Sequence, residues 1–227
     1  MIISHRHRFI FLKTRKTAST SFDIALSRYC GPDDTITRLN SEDEELRGSL
    51  NLPGPQNYRV PVRHWTARDS VKFILRKRVP SYTQHMSARS LRARIGRKVW
   101  DTYLKFCVER NPYDKAISLY YWRMRHLTRR PPLLEFLRSV DDHSLSNFHI
   151  YGIRDRIEVD HVIRYEKLEE GIDFLSSELG LDGLALPRAK TGFRPDRRSY
   201  RQVMTGEERQ IVSEVCAREI QLLSYDF

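Results

Sequence analysis

The stretch Phe9-Ile-Phe-Leu-Lys-Thr-Arg-Lys-Thr-Ala-Ser-Thr-Ser-Phe22 changes character after its fourth residue. Its four apolar residues are typical of a strand covered on both faces, and three cations and five hydroxyl side chains follow them. The helical spacing of Phe22, Leu26 and Tyr29 then predicts a helix that Gly31-Pro32 ends. The first N–H groups of a helix lack partners within it, so they attract anions. The stretch therefore predicts an anion-binding loop at residues 13–21.

The same change from strand to helix recurs twice more along the chain. Leu104–Val108 is predicted to be a buried strand, and Asn111-Pro112 suits the start of the next helix. A third strand is predicted at residues 159–165, with a helix from Lys167 to Leu179 that Gly180 ends. A capping box at Thr205–Glu208 begins a last helix that runs towards Leu223. This alternation predicts an α/β fold with a mostly parallel sheet.

Length and composition limit the class of protein. The 227 residues, 40% of them hydrophobic, suit one domain with a single core. No run approaches 18 apolar residues, and residues 1–12 resemble a first strand more than a signal peptide, so we expect a cytoplasmic protein. Three widely spaced cysteines indicate free thiols, and neither they nor the eight histidines have metal-ligand spacing.

Two regions differ from the rest of the chain. Residues 31–62 are polar and rich in Pro and Gly, which predicts a surface insertion or a lid. Residues 68–98 contain ten Lys or Arg and one acid, which predicts helices with a strongly basic face. Together with a net charge of +11, this segment favours an anionic partner.

Two motifs carry a resemblance to a known family. Lys16-Thr-Ala-Ser-Thr-Ser21 after one strand, and Val108-Glu-Arg-Asn-Pro-Tyr-Asp-Lys-Ala-Ile-Ser118 after another, resemble the sulfotransferases. The likeness is strongest to carbohydrate sulfotransferases of the heparan sulfate 2-O type and their bacterial relatives. It extends through His85-Met-Ser-Ala, Val162–Glu166 and Tyr225-Asp-Phe227. The resemblance implies a three-layer, P-loop-like fold, although the Walker glycines are absent.

The resemblance also implies a donor, 3′-phosphoadenosine 5′-phosphosulfate (PAPS), and no metal. The loop at residues 15–21 would hold the 5′ end, with Lys16 stabilising the leaving oxygen, and Arg110 and Ser118 would hold the 3′-phosphate. Lys190 and Thr191 lie where the family closes a loop over the nucleotide. The residues implied to bind the donor are Arg15, Lys16, Thr17, Ala18, Ser19, Thr20, Ser21, Arg110, Ser118, Lys190 and Thr191.

These assignments leave simpler roles open. Ser19 or Thr20 would serve equally well as a helix cap, and Arg110 could pair with Glu109 or Asp114. The sequence departs from the family pattern at Glu109, where an apolar residue is usual, and at Arg15, where proline is usual. Because neighbouring strand residues point to opposite faces, we expect Glu109 to face away from the phosphate.

The general base is predicted to be His85, because its segment resembles the one that carries the catalytic histidine of the 2-O enzymes. His64 lies in a similar motif and is the rival. A glutamate base, as in some relatives, would come from Glu42, Glu44 or Glu45.

The acceptor is expected to be a carbohydrate or glycolipid, and the basic segment would steer an acidic glycan towards the site. Contact with a membrane surface is compatible with this composition. The competing hypotheses are a nucleic-acid-binding protein, for which no known module is present, and a nucleotide-dependent kinase. No nucleic acid is expected, and the oligomeric state is not predicted.

Overall fold

A five-stranded sheet forms the centre of the computed structural model, which describes residues 1–187, 195–196 and 198–227. Its strands are β1 (Ile2–Ser4), β2 (Phe9–Leu12), β3 (Thr35–Ile36), β4 (Leu104–Glu109) and β7 (His161–Arg164). A separate hairpin contains β5 (Gly152–Ile153) and β6 (Arg156–Ile157). The order across the sheet is β3-β1-β2-β4-β7, and β2, β4 and β7 are parallel neighbours. Helices flank this parallel core, which confirms the predicted α/β fold.

The start of the chain differs from the single first strand that the sequence indicated. Ile2–Ser4 and Phe9–Leu12 are two strands, and β1 runs antiparallel to both β2 and β3. A tight turn at residues 5–8, with Arg8 in the left-handed region (φ 55°), reverses the chain. The parallel part of the sheet therefore lies at β2, β4 and β7, beside an antiparallel edge.

Helices follow or connect the strands. The boundaries predicted for two of them are confirmed: Asn111 caps a helix that begins at Pro112, and Gly180 (φ 62°) ends the helix after β7. The predicted last helix is instead two helices, because Cys216 has non-helical dihedral angles. The helices are α1 (Ser19–Ser27), α2 (Ser41–Ser49), α3 (Ala67–Arg76), α4 (Ala88–Ile95), α5 (Arg97–Thr102), α6 (Pro112–Arg123), α7 (Leu133–Ser139), α8 (Asp142–Leu145), α9 (Phe148–Tyr151), α10 (Leu168–Leu179), α11 (Tyr200–Val203), α12 (Gly206–Val215) and α13 (Ala217–Leu223), with single 3₁₀ turns at Val62–His64 and Tyr165–Lys167.

The core occupies both faces of the sheet. Ile10 and Leu12 point to a face covered by α4, α5 and α9, whereas Phe9 and Phe11 point to a face covered by α1 and α10. All four side chains are fully buried. A further apolar cluster joins α6, α7 and α12. The continuous apolar sequence of β2 follows directly from this two-sided burial.

Part of the polar segment 31–62 belongs to the sheet. It supplies the edge strand β3 and the helix α2, and its buried Arg47 lies 3.4 Å from Asp23 of α1. Asp23 also lies 3.3 Å from Lys13 Nζ, so buried charges join this segment to α1. A role for the segment as a lid stays a prediction.

The basic segment 68–98 is mainly helical, as predicted, and supplies most of α3 together with α4 and the start of α5. In the described part of the chain, no helix combines the length and the apolar character that crossing a membrane requires.

Candidate active site

The carboxyl ends of the three parallel strands meet at one edge of the sheet, where the loop at residues 13–21 begins. Leu12 is in register with Cys107, and Glu109 is in register with Arg164. Thr14 Oγ1 donates a hydrogen bond to the Val108 carbonyl, and Thr17 Oγ1 lies 2.7 Å from Thr14 Oγ1. The loop is therefore bonded directly to the end of β4.

The hydroxyl groups of Thr17 and Ser19 face into the protein. Thr17 is fully buried, and Ser19 Oγ donates to the Thr14 carbonyl, which closes the loop on itself. Thr20 and Ser21 are also buried, in the first turn of α1. In this structure Thr17 and Ser19 shape the loop, so an anion there would meet mainly backbone N–H groups and the side chain of Lys16.

The loop backbone adopts an unusual conformation for its sequence. Lys16 (φ 62°) and Ala18 (φ 57°) both lie in the left-handed region, which favours glycine. Successive N–H groups in such a turn form a concave site that suits an anion. Strained backbone of this kind is concentrated at binding sites, so the loop is a candidate phosphate-binding site that lacks the glycines of the Walker motif.

Replacing Ala18 with glycine tests this strain. The free energy of unfolding should rise by about 0.5–1 kcal/mol, because glycine adopts a positive φ without a steric penalty. Urea unfolding at constant m-value is the measurement. Ala25→Gly is the matched control, since Ala25 lies inside α1, and it should lower the same free energy by about 1 kcal/mol. A destabilised Ala18→Gly protein would contradict the strain.

Arg110 lies beside this loop, directly after β4. Its Nε donates to Asp114 Oδ2 at 2.8 Å, its guanidinium lies 4.2 Å from the centre of the Tyr165 ring, and its Nη1 lies 3.4 Å from the Lys16 carbonyl. The pairing with Asp114 that the sequence left open is therefore present, and it fixes the guanidinium with Nη1 towards the loop. The residues of the two motifs are in contact.

One face of α6 links the two cations. Asp114, Ser118 and Trp122 recur every four residues, so they line a single stripe of the helix. Arg110 binds Asp114 at one end of this stripe, and Lys16 Nζ lies 5.2 Å from the centre of the Trp122 ring at the other. Half-buried Ser118 lies between these two contacts.

A buried polar network holds the loop from below. Asn147 accepts a hydrogen bond from Arg15 N at 2.9 Å and donates one to Arg15 O at 3.0 Å. It also donates to Glu109 Oε1, which accepts from Lys115 Nζ at 3.0 Å and from Arg110 N at 2.9 Å. The carboxylate of Glu109 is thus turned to the interior, as the alternation along β4 predicts, and both motifs depend on it.

His85 lies at the start of the same loop. Its Nδ1 is 2.8 Å from the Lys13 carbonyl, so Nδ1 carries the proton and Nε2 has the lone pair. Burial, together with the nearby Lys13 and Arg15, lowers the pKa of His85 to about 3. The ring is therefore neutral at pH 7, although so low a pKa makes it a weak base in the free protein.

The rival bases lie elsewhere. His64 lines a cavity of about 590 Å³ with His5. His5 follows β1 next to the start of β2, so this cavity is at the opposite edge of the sheet from Lys13. Glu44 is bonded to Arg47 on α2, while Glu42 and Glu45 are exposed there. Lys190 and Thr191 fall outside the described residues.

A groove of about 1250 Å³ is lined by residues that Arg15 contacts. Arg15 Nη1 donates to His149 Nε2 at 3.1 Å and to the His143 carbonyl at 3.0 Å, and both histidines line the groove. Ser87 and Arg89, close in sequence to His85, line it as well. The loop thus reaches the lining of the groove through Arg15, and His85 is two residues before the lining residue Ser87.

Sequence reasoning missed several residues of the site. Asn147 and His149 are more than 130 residues from Arg15, and no pattern near them indicates a contact. Trp122 could have been found, because it lies eight residues after Asp114 on a predicted helix. Tyr165 belongs to a segment that carried the resemblance, but its stacking on Arg110 was not foreseen.

Comparison with known proteins identifies the family. The chain matches the model of the Sulfotransferase family over residues 1–226. It belongs to that family. An uncharacterised protein of Archaeoglobus fulgidus is 36% identical to this sulfotransferase over 100 residues, which cover 42% of this chain and 83% of the relative. No solved structure matches this chain. Family membership supports transfer of a sulfuryl group, and the loop, Arg110 and His85 are the candidate machinery of this sulfotransferase.

Proposed function

We propose that the chain transfers the sulfuryl group of PAPS to a hydroxyl of a carbohydrate or glycolipid, with His85 as the general base. The observation that carries the proposal is the contact between the two motifs, in which Arg110 Nη1 lies 3.4 Å from the Lys16 carbonyl. Two cationic sites on one edge of the sheet suit a nucleotide with anionic groups at both ends of its ribose.

The residues of the loop fit such a donor. The left-handed backbone at Lys16 and Ala18 and the N-terminus of α1 would hold the 5′ end, while Arg110 and Ser118 would hold the 3′-phosphate. When bound, PAPS would supply the sulfuryl group and would leave as 3′-phosphoadenosine 5′-phosphate. Lys16 would stabilise the negative charge that develops on the leaving 5′-phosphate oxygen.

The proton of the acceptor hydroxyl would pass to His85 Nε2. As the acceptor oxygen bonds to sulfur, the bond between sulfur and the phosphate oxygen breaks, and its electron pair stays on that oxygen. The imidazolium then returns its proton to solvent. Asn147 would keep the loop, and thus Lys16, in place during this step through its two hydrogen bonds to Arg15.

The groove beside Arg15 and His149 is the proposed acceptor site. Charges of both signs line it, which suits sugar hydroxyls because these both donate and accept hydrogen bonds. This balance of charges favours a polyhydroxylated acceptor. If the acceptor is an acidic glycan, Arg89 and Arg92 of the basic segment would attract it to the groove. The charged lining consists of Arg89, Arg92, Arg154, Arg156, Arg218, Asp142, Asp155, Glu158, Glu214 and Glu219, beside His143 and His149.

Variants of the two cations test the donor assignment. Arg110→Ala should abolish the preference for 3′-phosphoadenosine 5′-phosphate over ADP, because it removes the partner of the 3′-phosphate. Lys16→Ala is the matched comparison, and it should weaken the binding of both nucleotides about equally. Each lost charge-assisted contact is expected to cost about 1.5–3 kcal/mol, or roughly 10–150-fold in Kd, measured by calorimetry. Unchanged discrimination in Arg110→Ala would contradict the assignment.

A further inference from the structure

The outer face of α3 is apolar and exposed. Val71, Ile74 and Leu75 are 53%, 67% and 74% exposed, and we call these three side chains the α3 face. Five of the eight large hydrophobic side chains that are exposed in the described part of the chain lie between residues 62 and 79. Isolated exposed apolar residues are common, but a cluster of this kind marks an interaction surface.

The inner side of the same helix explains why it stays attached. Asp69 is buried, forms a capping box with Thr66 and lies 3.0 Å from Arg94 of α4. Phe73 packs on Trp65, with 5.0 Å between the ring centres. The helix is thus anchored by one side, while its apolar outer face is turned to solvent.

Cations surround the α3 face. The exposed cations nearest to it in sequence are Arg68, Lys72, Arg76, Lys77 and Arg78. The acid between residues 62 and 79 is Asp69, whose charge is buried and paired with Arg94. The exposed charged side chains of α3 and of the two residues after it are therefore all positive.

The proposed active site does not use these residues. Within the described chain, the basic segment contributes Ser87, Arg89 and Arg92 to the acceptor groove, and these come from α4 and its N-cap rather than from α3. The positive charge of α3 therefore needs an explanation of its own.

We propose that the α3 face docks on an anionic membrane surface. Aliphatic side chains beside lysine and arginine are the composition of a helix that lies in the lipid interface, where the apolar groups enter the headgroup region and the cations meet acidic headgroups. A nucleic acid would use the cations but not three exposed aliphatic side chains. A second copy of the chain that docked through the same face would place its five cations opposite the five of the first copy, and these charges would repel each other. This inference does not depend on the proposed donor or acceptor.

Vesicle co-sedimentation of the full chain tests the proposal. The probes are vesicles of phosphatidylcholine alone and vesicles with 30% phosphatidylserine. Binding to the acidic vesicles should be at least about tenfold stronger and should weaken with salt. Ile74→Glu/Leu75→Glu should lose this binding. The matched control is Leu127→Glu/Leu222→Glu, which places the same charges at exposed leucines elsewhere and should keep most of it.

A second pair of variants separates charge from apolar contact. Lys72→Ala/Arg76→Ala should remove most of the preference for acidic vesicles, whereas Arg97→Ala/Lys98→Ala, two cations on α5, should leave most of it. Unchanged thermal midpoints of all variants, and unchanged affinity for 3′-phosphoadenosine 5′-phosphate, would show that folding and the donor site are intact.

Several outcomes would overturn the proposal. These are a lack of vesicle binding, equal loss in the test and control variants, or equal binding to both vesicle types. Dimerisation in light scattering that Ile74→Glu/Leu75→Glu abolishes would assign the face to a second copy. Duplex DNA binding that depends on Lys72 and Arg76 but not on Ile74 and Leu75, without vesicle binding, would assign the cations to nucleic acid.

Discussion

Replacing His85 with alanine should lower sulfuryl-transfer turnover by about 10²- to 10⁴-fold and leave the Kd for 3′-phosphoadenosine 5′-phosphate nearly unchanged. The reason is the orientation of the ring, whose Nδ1 is held by the Lys13 carbonyl, so that Nε2 has the lone pair for the acceptor proton. The measurement is turnover with radiolabelled PAPS and the best acceptor from a panel of neutral and uronic-acid oligosaccharides, beside nucleotide calorimetry.

Two further variants make this result specific. His85→Asn places its amide nitrogen where Nδ1 lies, so it can still donate to the Lys13 carbonyl but cannot accept the proton, and it should be as inactive as the alanine variant. His64→Ala is the matched control, because His64 lies at the opposite edge of the sheet, and it should keep full turnover. A fully active His85→Ala protein, or an inactive His64→Ala protein, would move the base to another residue.

The pH dependence of kcat/KM also tests the assignment of His85 as the general base. Burial and the cations Lys13 and Arg15 lower the pKa of His85 in the free protein to about 3. The base form therefore persists as the pH falls below 6.5, and kcat/KM should show no acid limb near the usual histidine pKa. An anionic donor offsets the two cations, so the pKa of His85 should rise when 3′-phosphoadenosine 5′-phosphate binds, as NMR titration of the ring would detect.

Replacing Lys115 with methionine should lower the free energy of unfolding by about 3–5 kcal/mol. Lys115 is 1% exposed, and its Nζ lies 3.0 Å from Glu109 and 3.7 Å from Glu219, both of them buried. Burial acts to lower the pKa of Lys115, but Glu109 and the other acidic groups around it raise that pKa above its usual value, so Lys115 is charged at pH 7. Burial raises the pKa of Glu109 as well, and Lys115 opposes that shift. Without Lys115, two buried carboxylates lose their cation.

Urea unfolding at pH 7.5 is the measurement for this variant. Lys167→Met removes an exposed lysine paired with Glu170 and should change the free energy of unfolding by less than about 1 kcal/mol. Lys115→Met/Glu109→Gln should recover part of the loss, because it removes one unpaired carboxylate. A change below 1 kcal/mol in Lys115→Met would show that the buried pair contributes little.

The buried polar network around Glu109 supports both the stability of the fold and the position of the candidate donor-binding loop. Glu109 bonds Arg110 N, Lys115 and Asn147, and Asn147 holds the backbone of Arg15. Loss of Lys115 should therefore weaken nucleotide binding as well as folding. Glu109 thus gives this chain a polar support beneath the loop.

Local sequence patterns predicted the regular structure well. The apolar run Phe9–Leu12, the Asn111-Pro112 helix start and Gly180 each depend on burial or backbone preferences of a few adjacent residues, and the structure has them as expected. The hairpin of β1 and β2 was missed because three residues, Ile2–Ser4, are too short to show a strand pattern.

The sequence by itself determined the strand–helix junctions, the family and the residue types available to hold an anion, because these depend on neighbouring residues and on motifs of fixed spacing. Only the tertiary structure decided that Thr17 and Ser19 turn inward, that Lys16 and Ala18 adopt left-handed backbone, and that Asn147 supports Arg15. It also separated the cations of α4 beside the groove from those of α3 on the surface. Such outcomes depend on contacts between residues far apart in the chain, which no local pattern encodes.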